Sequence, residues 1–172
     1  MERGQMRKVV GIVGYKNSGK TTLTHALAQE LGGRGRVVAV IKHASHPVDV
    51  AGKDTAVLGA SVGQVAIVSP RESALFWNKP LSLAEVISHL DADVILVEGF
   101  KAEKGLAKIA CLRGEPDDGD LFDGSVLCAV GPGERLDELA ALALDDARIP
   151  LLDRDEVGRI ADLVERQARV VQ

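Results

Sequence analysis

Aromatic residues are scarce in this sequence, where three Phe, one Trp and one Tyr make up 3% of 172 residues. Proteins that bind single-stranded nucleic acids without sequence preference use aromatic side chains as platforms on which the bases stack. The composition therefore disfavours that class of protein. Because hydrophobic residues still make up 46% of the chain, Val, Leu, Ile and Ala must fill the core.

Cysteine is also scarce, with only Cys111 and Cys128 in the chain. Both lie inside apolar stretches, and their spacing does not form the CxxC pair that is typical of redox and zinc sites. We therefore expect two buried, reduced thiols in a cytoplasmic protein. A disulfide or a metal-binding role for these two residues is disfavoured.

Long apolar runs and an excess of positive charge are missing as well. No stretch approaches the roughly 18 apolar residues that a transmembrane helix needs, and residues 1–8 do not lead into the apolar core of a signal peptide. With 21 Lys and Arg against 25 Asp and Glu, the formal net charge is −4. This charge disfavours nucleic acid or an anionic membrane as a partner, although it is compatible with a local basic pocket.

The order of apolar segments predicts an α/β fold. Given its length, the chain is expected to form a single domain over residues 1–172, with a core at about 7–170. Short apolar runs predict strands at 8–13, 36–41, 65–68, 94–97, 108–112, 125–130 and 149–152. Helical spacing of apolar residues predicts helices at 21–31, 83–90, 134–144 and 156–169. The alternation indicates a mostly parallel sheet flanked by helices, in a Rossmann-like three-layer arrangement.

A phosphate-binding motif lies between the first predicted strand and the first predicted helix. Residues Gly14–Thr21 (GYKNSGKT) fit the pattern GxxxxGK[ST] at every fixed position. Backbone N–H groups and the helix N-terminus can bind phosphate at such a junction. We therefore predict a fold of the P-loop NTPase type. We expect Lys20 to be catalytic, by neutralising the terminal phosphates, and the Thr21 hydroxyl to bind Mg²⁺. The other predicted nucleotide-binding residues are Gly14, Tyr15, Lys16, Asn17, Ser18, Gly19 and Thr22.

A carboxylate is predicted next to this motif. Glu98 follows the apolar run at 94–97, so it should lie at the carboxyl end of a buried strand. Open α/β sheets bind their ligands on that side. We predict that Glu98 holds Mg²⁺ and is the second catalytic residue. Asp91 and Asp93 precede the same run and are expected at the opposite edge of the sheet.

The segment after the second predicted strand is rich in polar residues that suit ligand contacts. It contains Lys42, His43, His46, Asp49 and Asp54, and we expect it to overhang the phosphates. Asp54 suits either a Mg²⁺ ligand or a helix N-cap, since apolar residues follow it. His43, His46 and Asp49 suit switch or substrate contacts. The alternatives are histidines that simply face solvent and a transition-metal site, although two His and one Asp are an incomplete structural zinc set.

The sequence leaves base specificity open. Residues 78–81 (NKPL) begin like the guanine-reading motif NKxD but lack its acid, so they are no evidence for GTP. The turn at residues 152–154 follows the last predicted strand, and we predict that it borders the base.

Taken together, these motifs resemble the MobB family, the molybdopterin-guanine dinucleotide biosynthesis proteins B. The matching segments are GYKNSGKTTL at 14–23, IKHASH at 41–46, GKDT at 52–55, ILVEGFK at 95–101, Lys108-Ile109, Arg113 and IPLLDRDEVGRIADLV at 149–164. They follow the family's order over nearly the whole chain.

This resemblance implies a GTP-binding protein with weak GTPase activity that assists the attachment of GMP to molybdopterin. The partners that it implies are GTP, molybdopterin or a MobA-type guanylyltransferase, and a second copy of the chain in a homodimer. It also makes Lys101, Lys108 and Arg113 candidates for an anion-binding surface near the nucleotide. Ordinary surface charge is the alternative for these three residues.

Two other functions are compatible with the motifs. One is a P-loop small-molecule kinase, which the scattered arginines disfavour because such kinases usually have an arginine-rich lid. The other is a nucleotide-dependent metal-insertion chaperone that uses His43, His46 and Asp49.

Overall fold

The computed structural model describes residues 7–143 and 149–171, without the side chains of 141–143, 169 and 171. The chain divides into two compact units. We call Ala44–Leu90 the inserted unit, and the residues up to His43 together with those from Asp91 onward the main unit. The single domain that the length predicts stays a prediction.

The described residues form nine strands and five helices. In chain order, the strands are β1 (Arg7–Val13), β2 (Val38–Lys42), β3 (Gln64–Val68), β4 (Ser73–Trp77), β5 (Val94–Glu98), β6 (Ala107–Cys111), β7 (Val126–Gly131), β8 (Leu151–Asp153) and β9 (Arg169–Val171). The helices are α1 (Lys20–Gly33), α2 (Asp54–Gly59), α3 (Leu83–Ser88), α4 (Leu136–Ala143) and α5 (Val157–Gln167). Short 3-10 helices lie at Pro116–Leu121 and Gly133–Arg135.

The main unit is built on a seven-stranded sheet in the order β2-β5-β1-β6-β7-β8, with β9 paired to β1. All neighbours in this order are parallel, and only β9 runs antiparallel to its partner. The predicted mostly parallel sheet is therefore confirmed. Glu98 is aligned with Ile12 of β1 and with Lys42 of β2, so three carboxyl strand ends meet at one edge.

Helices cover both faces of this sheet. On one face, Val10, Ile12 and Ile109 pack with apolar residues of α1 and α5. On the other face, Val13 and Ala110 pack with Leu139 of α4 and with residues beside it. Successive strand residues point to opposite faces, which explains why neighbours such as Ile109 and Ala110 belong to different clusters. The three-layer, P-loop NTPase-type α/β fold is thus confirmed.

The two cysteines lie in the core, as the sequence predicts. Cys111 and Cys128 are buried and form no disulfide. Burial raises the pKa of each thiol to about 12, so both stay protonated near neutral pH. No helix in the described part of the chain is long and apolar enough to cross a membrane.

The inserted unit corrects the predicted path of the third strand. β3 does not join the main sheet but pairs antiparallel with β4, a strand that we did not predict. The turn between them is held by the Ser69 hydroxyl, which accepts hydrogen bonds from the Arg71 and Glu72 amides at 3.3 and 3.0 Å. Such a short turn joins its strands as a hairpin. Helix α2 begins at Asp54, where the sequence offered a helix start as one alternative.

The end of the chain differs from the prediction as well. The helix expected to reach residue 169 ends at Gln167, and residues 169–171 form β9. β6 pairs with β1 only from Val10 onward, which leaves the first residues of β1 open on that side. β9 pairs there with residues 7–9. Its backbone N–H and C=O groups thereby gain partners, which an unpaired segment would lack.

Candidate nucleotide-binding site

The loop between β1 and α1 has a backbone that requires glycine at two positions. Gly14 has a φ of 153° and Gly19 a φ of 81°, and Gly19 is the N-cap of α1. A Cβ at Gly14 would lie 2.5 Å from the Ser18 Oγ, and one at Gly19 would lie 2.6 Å from the Arg154 guanidinium. Gly14 is therefore needed for space as well as for conformation, because a Cβ there would also lie 2.6 Å from the Cys111 carbonyl oxygen. At Gly19 the end of the Arg154 side chain could move, so the positive φ is the main requirement.

Lys20 begins α1 and curls back over the loop. Its Nζ donates to the backbone carbonyl of Tyr15 and to the Ser18 Oγ, the latter at 3.4 Å. Burial lowers the pKa of Lys20, against the opposing charge of Glu98. A partly desolvated ammonium is attracted strongly to an anion. Phosphate oxygens suit this position because they can replace the carbonyl and hydroxyl as acceptors.

Glu98 meets Thr21 and Lys42 at the end of β5. Its Oε1 accepts hydrogen bonds from the Thr21 Oγ1 at 2.9 Å and from the Lys42 Nζ at 2.6 Å. Burial would raise the pKa of this carboxyl, which is 7% exposed. The hydrogen bonds from Lys42 and Thr21, together with the charges of Lys42 and Lys20, outweigh burial and lower the pKa. The group is therefore a carboxylate at neutral pH.

The oxygen atoms that meet at the end of β5 are suitable ligands for Mg²⁺. The Thr21 hydroxyl oxygen and the Glu98 carboxylate oxygen lie within 2.9 Å of each other, and Mg²⁺ prefers such oxygen ligands. The structure thus brings together the two main-unit residues that the sequence predicts as metal ligands. That they bind Mg²⁺ stays a prediction.

A cavity of about 510 Å³ opens over the loop. Its lining residues are Lys16, Asn17, Gly19, Lys20, Thr21, Thr22 and Glu98. Of the other predicted nucleotide-binding residues, Gly14 and Ser18 shape the loop from within, since Ser18 is buried. Tyr15 supplies the carbonyl that holds Lys20. Six of the nine predicted residues therefore face one cavity, and three support it.

Arg154, which directly follows β8, supports the phosphate loop. We did not predict this contact. The Arg154 Nη2 donates to the Ser18 carbonyl at 3.1 Å, and its Nε is buried without a hydrogen-bond partner in the described part of the chain. The only feature of the sequence that could have indicated this contact is the position of Arg154 directly after a late strand. That the turn at 152–154 borders the base stays a prediction.

Two of the predicted anion-binding residues meet at Tyr15. The Lys101 Nζ lies 4.2 Å from the centre of the Tyr15 ring, and the Arg113 guanidinium carbon lies 4.6 Å from it. Such cation–π contacts are attractive. Arg113 is also paired with Asp117 and Asp118. Lys101 and Arg113 therefore lie beside the phosphate loop, as expected.

Lys108 does not belong to this surface, so that part of the prediction was wrong. Its side chain is 1% exposed. The Nζ donates to the Lys101 carbonyl at 2.9 Å and forms an ion pair with Asp123. Because a buried charge is costly unless it is paired, this ammonium is used inside the protein to hold the Lys101 backbone.

The polar residues of the inserted unit make local contacts. The Asp49 Oδ1 accepts hydrogen bonds from the Val50 amide at 2.7 Å and the Thr55 hydroxyl at 3.0 Å. The N-cap of α2 is Lys53, so the interpretation of Asp54 as the cap was wrong. No group of three or more His, Cys, Asp or Glu side chains within residues 7–143 and 149–171 is arranged to hold a metal ion.

Two further residues that the sequence analysis considered form hydrogen bonds with the backbone. The Asn78 amide donates to the Gly59 and Val62 carbonyls at 2.8 Å each, within the inserted unit. Asp93 lies at the amino end of β5, where its Oδ2 accepts a hydrogen bond from the Val37 amide at 2.8 Å. It is therefore at the sheet edge opposite Glu98, as predicted.

Comparisons with known proteins identify the family of this chain. The family model of molybdopterin guanine dinucleotide synthesis protein B, MobB, matches residues 9–130. A molybdopterin-guanine dinucleotide biosynthesis adapter protein of Haemophilus influenzae is 33% identical over 169 residues, which cover 91% of this chain and 87% of the relative. A relative from Methanocaldococcus jannaschii is 26% identical over 155 residues, which cover 85% of this chain, and the matched region spans only 64% of that relative.

The fold is shared with a solved structure. The crystal structure of Bacillus subtilis MobB matches with a TM-score of 0.73 at 22% identity, and the match covers 94% of this chain and 98% of that one. The family model matches more than half of the chain, and the fold agrees. This chain belongs to the MobB family, the molybdopterin guanine dinucleotide synthesis proteins B.

Proposed function

We propose that this chain binds GTP with Mg²⁺, hydrolyses it slowly, and acts as an adapter when GMP is attached to molybdopterin. The observation that carries the proposal is the phosphate loop, whose cavity contains Lys20, Thr21 and Glu98. The names of the family and of the relatives support a guanine nucleotide and molybdopterin as the compounds involved. A MobA-type guanylyltransferase is the proposed partner enzyme.

The chain's own residues explain both binding and slow hydrolysis. The loop amides and the Lys20 ammonium hold the β- and γ-phosphates, and Thr21 and Glu98 supply oxygen ligands for the metal. Bound Mg²⁺ would neutralise charge that develops on the phosphates. This stabilisation is electrostatic, and we assign no side chain as general base. We therefore expect slow turnover.

The remaining predicted contacts belong to this proposal as well. Lys42 already pairs with Glu98, so its position suits a residue that responds when metal or phosphate binds. His43, His46 and Asp49 are proposed as switch or substrate contacts, and Asp54 as a further Mg²⁺ ligand. A cytoplasmic location is included because both thiols are free.

A nucleotide titration tests the first step. Purified protein is titrated with GTP and with ATP by calorimetry, each with Mg²⁺ and with a chelator. We expect micromolar GTP binding that is stronger with Mg²⁺, and at least about ten-fold weaker ATP binding, a difference of about 1.4 kcal/mol. A preference for ATP, or no binding of GTP, would contradict the proposal.

Reconstitution tests the second step. Adding the protein to a molybdopterin guanylyltransferase with molybdopterin, GTP and Mg²⁺ is expected to raise the yield of the dinucleotide several-fold. If the protein binds GTP but the yield of the dinucleotide does not change, the adapter role is rejected. The assignment of the nucleotide site is then unaffected.

The proposal also includes a homodimer, and exposed apolar residues of the inserted unit support it. These residues are Val48, Val50, Val57, Leu58, Val62, Ile67, Val68 and Leu75. Exposed apolar side chains that lie together are typical of a protein interface, and Val68 and Leu75 share one face of the β3–β4 hairpin. In addition, a two-stranded sheet such as β3–β4 is only marginally stable unless something packs on it. A second copy of the chain would cover these side chains.

Light scattering tests this association. We expect about 36 kDa in solution, twice the 18.2 kDa of one chain. Val68 and Leu75 are 81% and 47% exposed, and the strand pairing puts them on one face of the hairpin. Changing both to Lys should give a monomer, because like charges would be buried together. Val37→Lys, at an exposed position in the main unit, is the matched control. A monomeric wild type, or a double variant that still dimerises, would contradict the proposal.

A further inference from the structure

A second cavity, of about 440 Å³, lies beside the phosphate loop in the main unit. Its lining residues are Gly14, His43, Gly99, Phe100, Lys101, Ala102 and Glu103. Gly14 is the first residue of the phosphate loop, and Gly99 directly follows Glu98. The cavity therefore adjoins the proposed nucleotide and metal site, and its volume is in the range of small-molecule pockets.

The turn that forms most of this cavity is strained. Phe100 has a φ of 55°, in the left-handed region that a bulky side chain rarely adopts. Such strain opposes folding, and it concentrates at binding sites and active sites. It persists here in a ring-bearing residue, although glycine would relieve it. A strained aromatic residue at the wall of a cavity favours a binding role for the Phe100 ring.

The same turn is fixed at three points. The Gly99 amide donates to the Ile12 carbonyl of β1 at 3.0 Å, and the Glu103 amide donates to the Phe100 carbonyl at 2.9 Å. The buried Lys108 ammonium donates to the Lys101 carbonyl at 2.9 Å. A turn that is tied in this way is preformed, so a ligand does not have to order it.

The chemistry of the walls points to one class of ligand. The rings of His43 and Phe100 lie 4.8 Å apart and are tilted by 54°, so a planar heterocycle can stack on one ring and contact the other at its edge. Lys101 supplies a positive charge for an anionic substituent. Among the lining residues, Glu103 is the only acid, and its carboxylate can accept hydrogen bonds from ring N–H and amino groups.

We propose that this cavity binds the pterin ring of an anionic pterin, next to the nucleotide. A pterin is planar, and its amino-pyrimidinone edge presents the N–H donors that a carboxylate accepts. The inference rests on the proposed function, which brings a guanine nucleotide and a pterin together. It adds the place where the second compound binds.

The test is a titration of the protein with pterin-6-carboxylate, followed by the quenching of pterin fluorescence. It is run with the phosphate loop saturated by β,γ-imido-GTP and Mg²⁺, and again without nucleotide. We expect saturable binding in both conditions. Phe100→Gly removes the ring at a position where glycine is unstrained, and we expect it to weaken pterin binding about ten-fold.

Two lysines of one segment provide a matched pair. We expect Lys101→Gln to weaken pterin binding several-fold at low salt, with a smaller difference at high salt. Lys104→Gln removes the same charge from an exposed residue outside the lining of the cavity, and we expect wild-type affinity. Equal losses in both variants would show an unspecific charge effect and would overturn the role of Lys101.

The outcomes separate this inference from the proposed function. Absent pterin binding, displacement of the pterin by the GTP analogue, or equal affinity in wild type and Phe100→Gly would overturn the inference. Binding of the GTP analogue to Phe100→Gly reports an intact phosphate site, and the melting temperature reports an intact fold in every variant. If the analogue does not bind while the pterin binds through Phe100, the nucleotide proposal fails and the pterin site stands.

Discussion

Changing Lys20 to Ala is expected to weaken GTP binding about 100-fold, which corresponds to about 2.7 kcal/mol. The reason is that the Lys20 ammonium is partly desolvated and is held over the loop by the Tyr15 carbonyl and the Ser18 hydroxyl. A charge-assisted hydrogen bond to phosphate is about twice as strong as a neutral one, and here it acts in a partly buried site. Calorimetric titration with GTP and Mg²⁺ measures the loss.

The same variant should keep its fold. Burial lowers the pKa of Lys20, which means that the folded state binds this proton less tightly than the unfolded state does. At neutral pH, which is below the lowered pKa, the burial of the Lys20 charge therefore opposes folding. Removing this charge in Lys20→Ala should for that reason not lower the melting temperature. The control Lys104→Ala should bind GTP as the wild type does. Unchanged GTP affinity in Lys20→Ala, with the melting temperature retained, would refute the assignment of the phosphate loop.

Changing Glu98 to Gln is expected to remove most of the effect of Mg²⁺ on GTP binding. In the wild type, the carboxylate is ionised at neutral pH and lies 2.9 Å from the Thr21 hydroxyl. A neutral amide keeps the shape of the side chain but is a poor ligand for a hard cation. We expect the gain in GTP affinity on adding Mg²⁺ to fall at least about ten-fold, or about 1.4 kcal/mol.

A matched control separates this effect from a general loss of acidity. Asp91→Asn removes a carboxylate from an exposed position before β5, and it should leave the Mg²⁺ effect unchanged. Titrations of both variants with GTP, with Mg²⁺ and with a chelator, give the comparison. If Glu98→Gln retains the full Mg²⁺ effect, Glu98 is not a metal ligand.

The Glu98 variant should also differ in its response to acid. The pKa of Glu98 is lowered in the folded state, so ionised Glu98 stabilises the fold above its ordinary pKa of about 4.3. That contribution is lost as the pH falls from this value through the lowered pKa. The melting temperature of the wild type should therefore fall more steeply over this range than that of Glu98→Gln. Between pH 6 and 8 the two should show the same slope.

Most of the main unit and the centre of the site were predictable from local patterns. The apolar run before Gly14 and the GKT that follows required a strand, a turn and a helix in that order. Glu98 ends an apolar run that is buried along its whole length, which placed it at the carboxyl edge of a parallel sheet. These features depend on neighbouring residues alone, so a single sequence contains the signal for them.

The misplaced elements depend on partners that are distant in the chain. The run of β3 is as apolar as the strands of the main sheet, yet it pairs with β4 in a separate sheet. β9 forms because β1 has an open edge there, which periodicity at residues 156–169 does not reveal. Strand pairing depends on which edges remain unoccupied, and this is known only once the sheet is assembled.

Two charged side chains show the same limit within the site. Lys108 belongs to an apolar run and was predicted on a surface, but it is buried because Asp123 and the Lys101 carbonyl are there to receive its charge. Arg154 contacts the Ser18 carbonyl across 136 residues of chain. Long side chains reach whatever acceptor the fold brings near, so their sequence neighbours do not reveal their partners.

The sequence alone determined that this protein has a phosphate loop between a buried strand and a helix, with a glutamate at the end of a neighbouring strand. Turn chemistry and apolar periodicity are local properties, and they suffice for that conclusion. Only the tertiary structure decided that Thr21, Lys42 and Glu98 meet at one oxygen atom, and that a strained Phe100 closes a second cavity beside them. Those contacts arise from strand order and from packing between segments far apart in the chain.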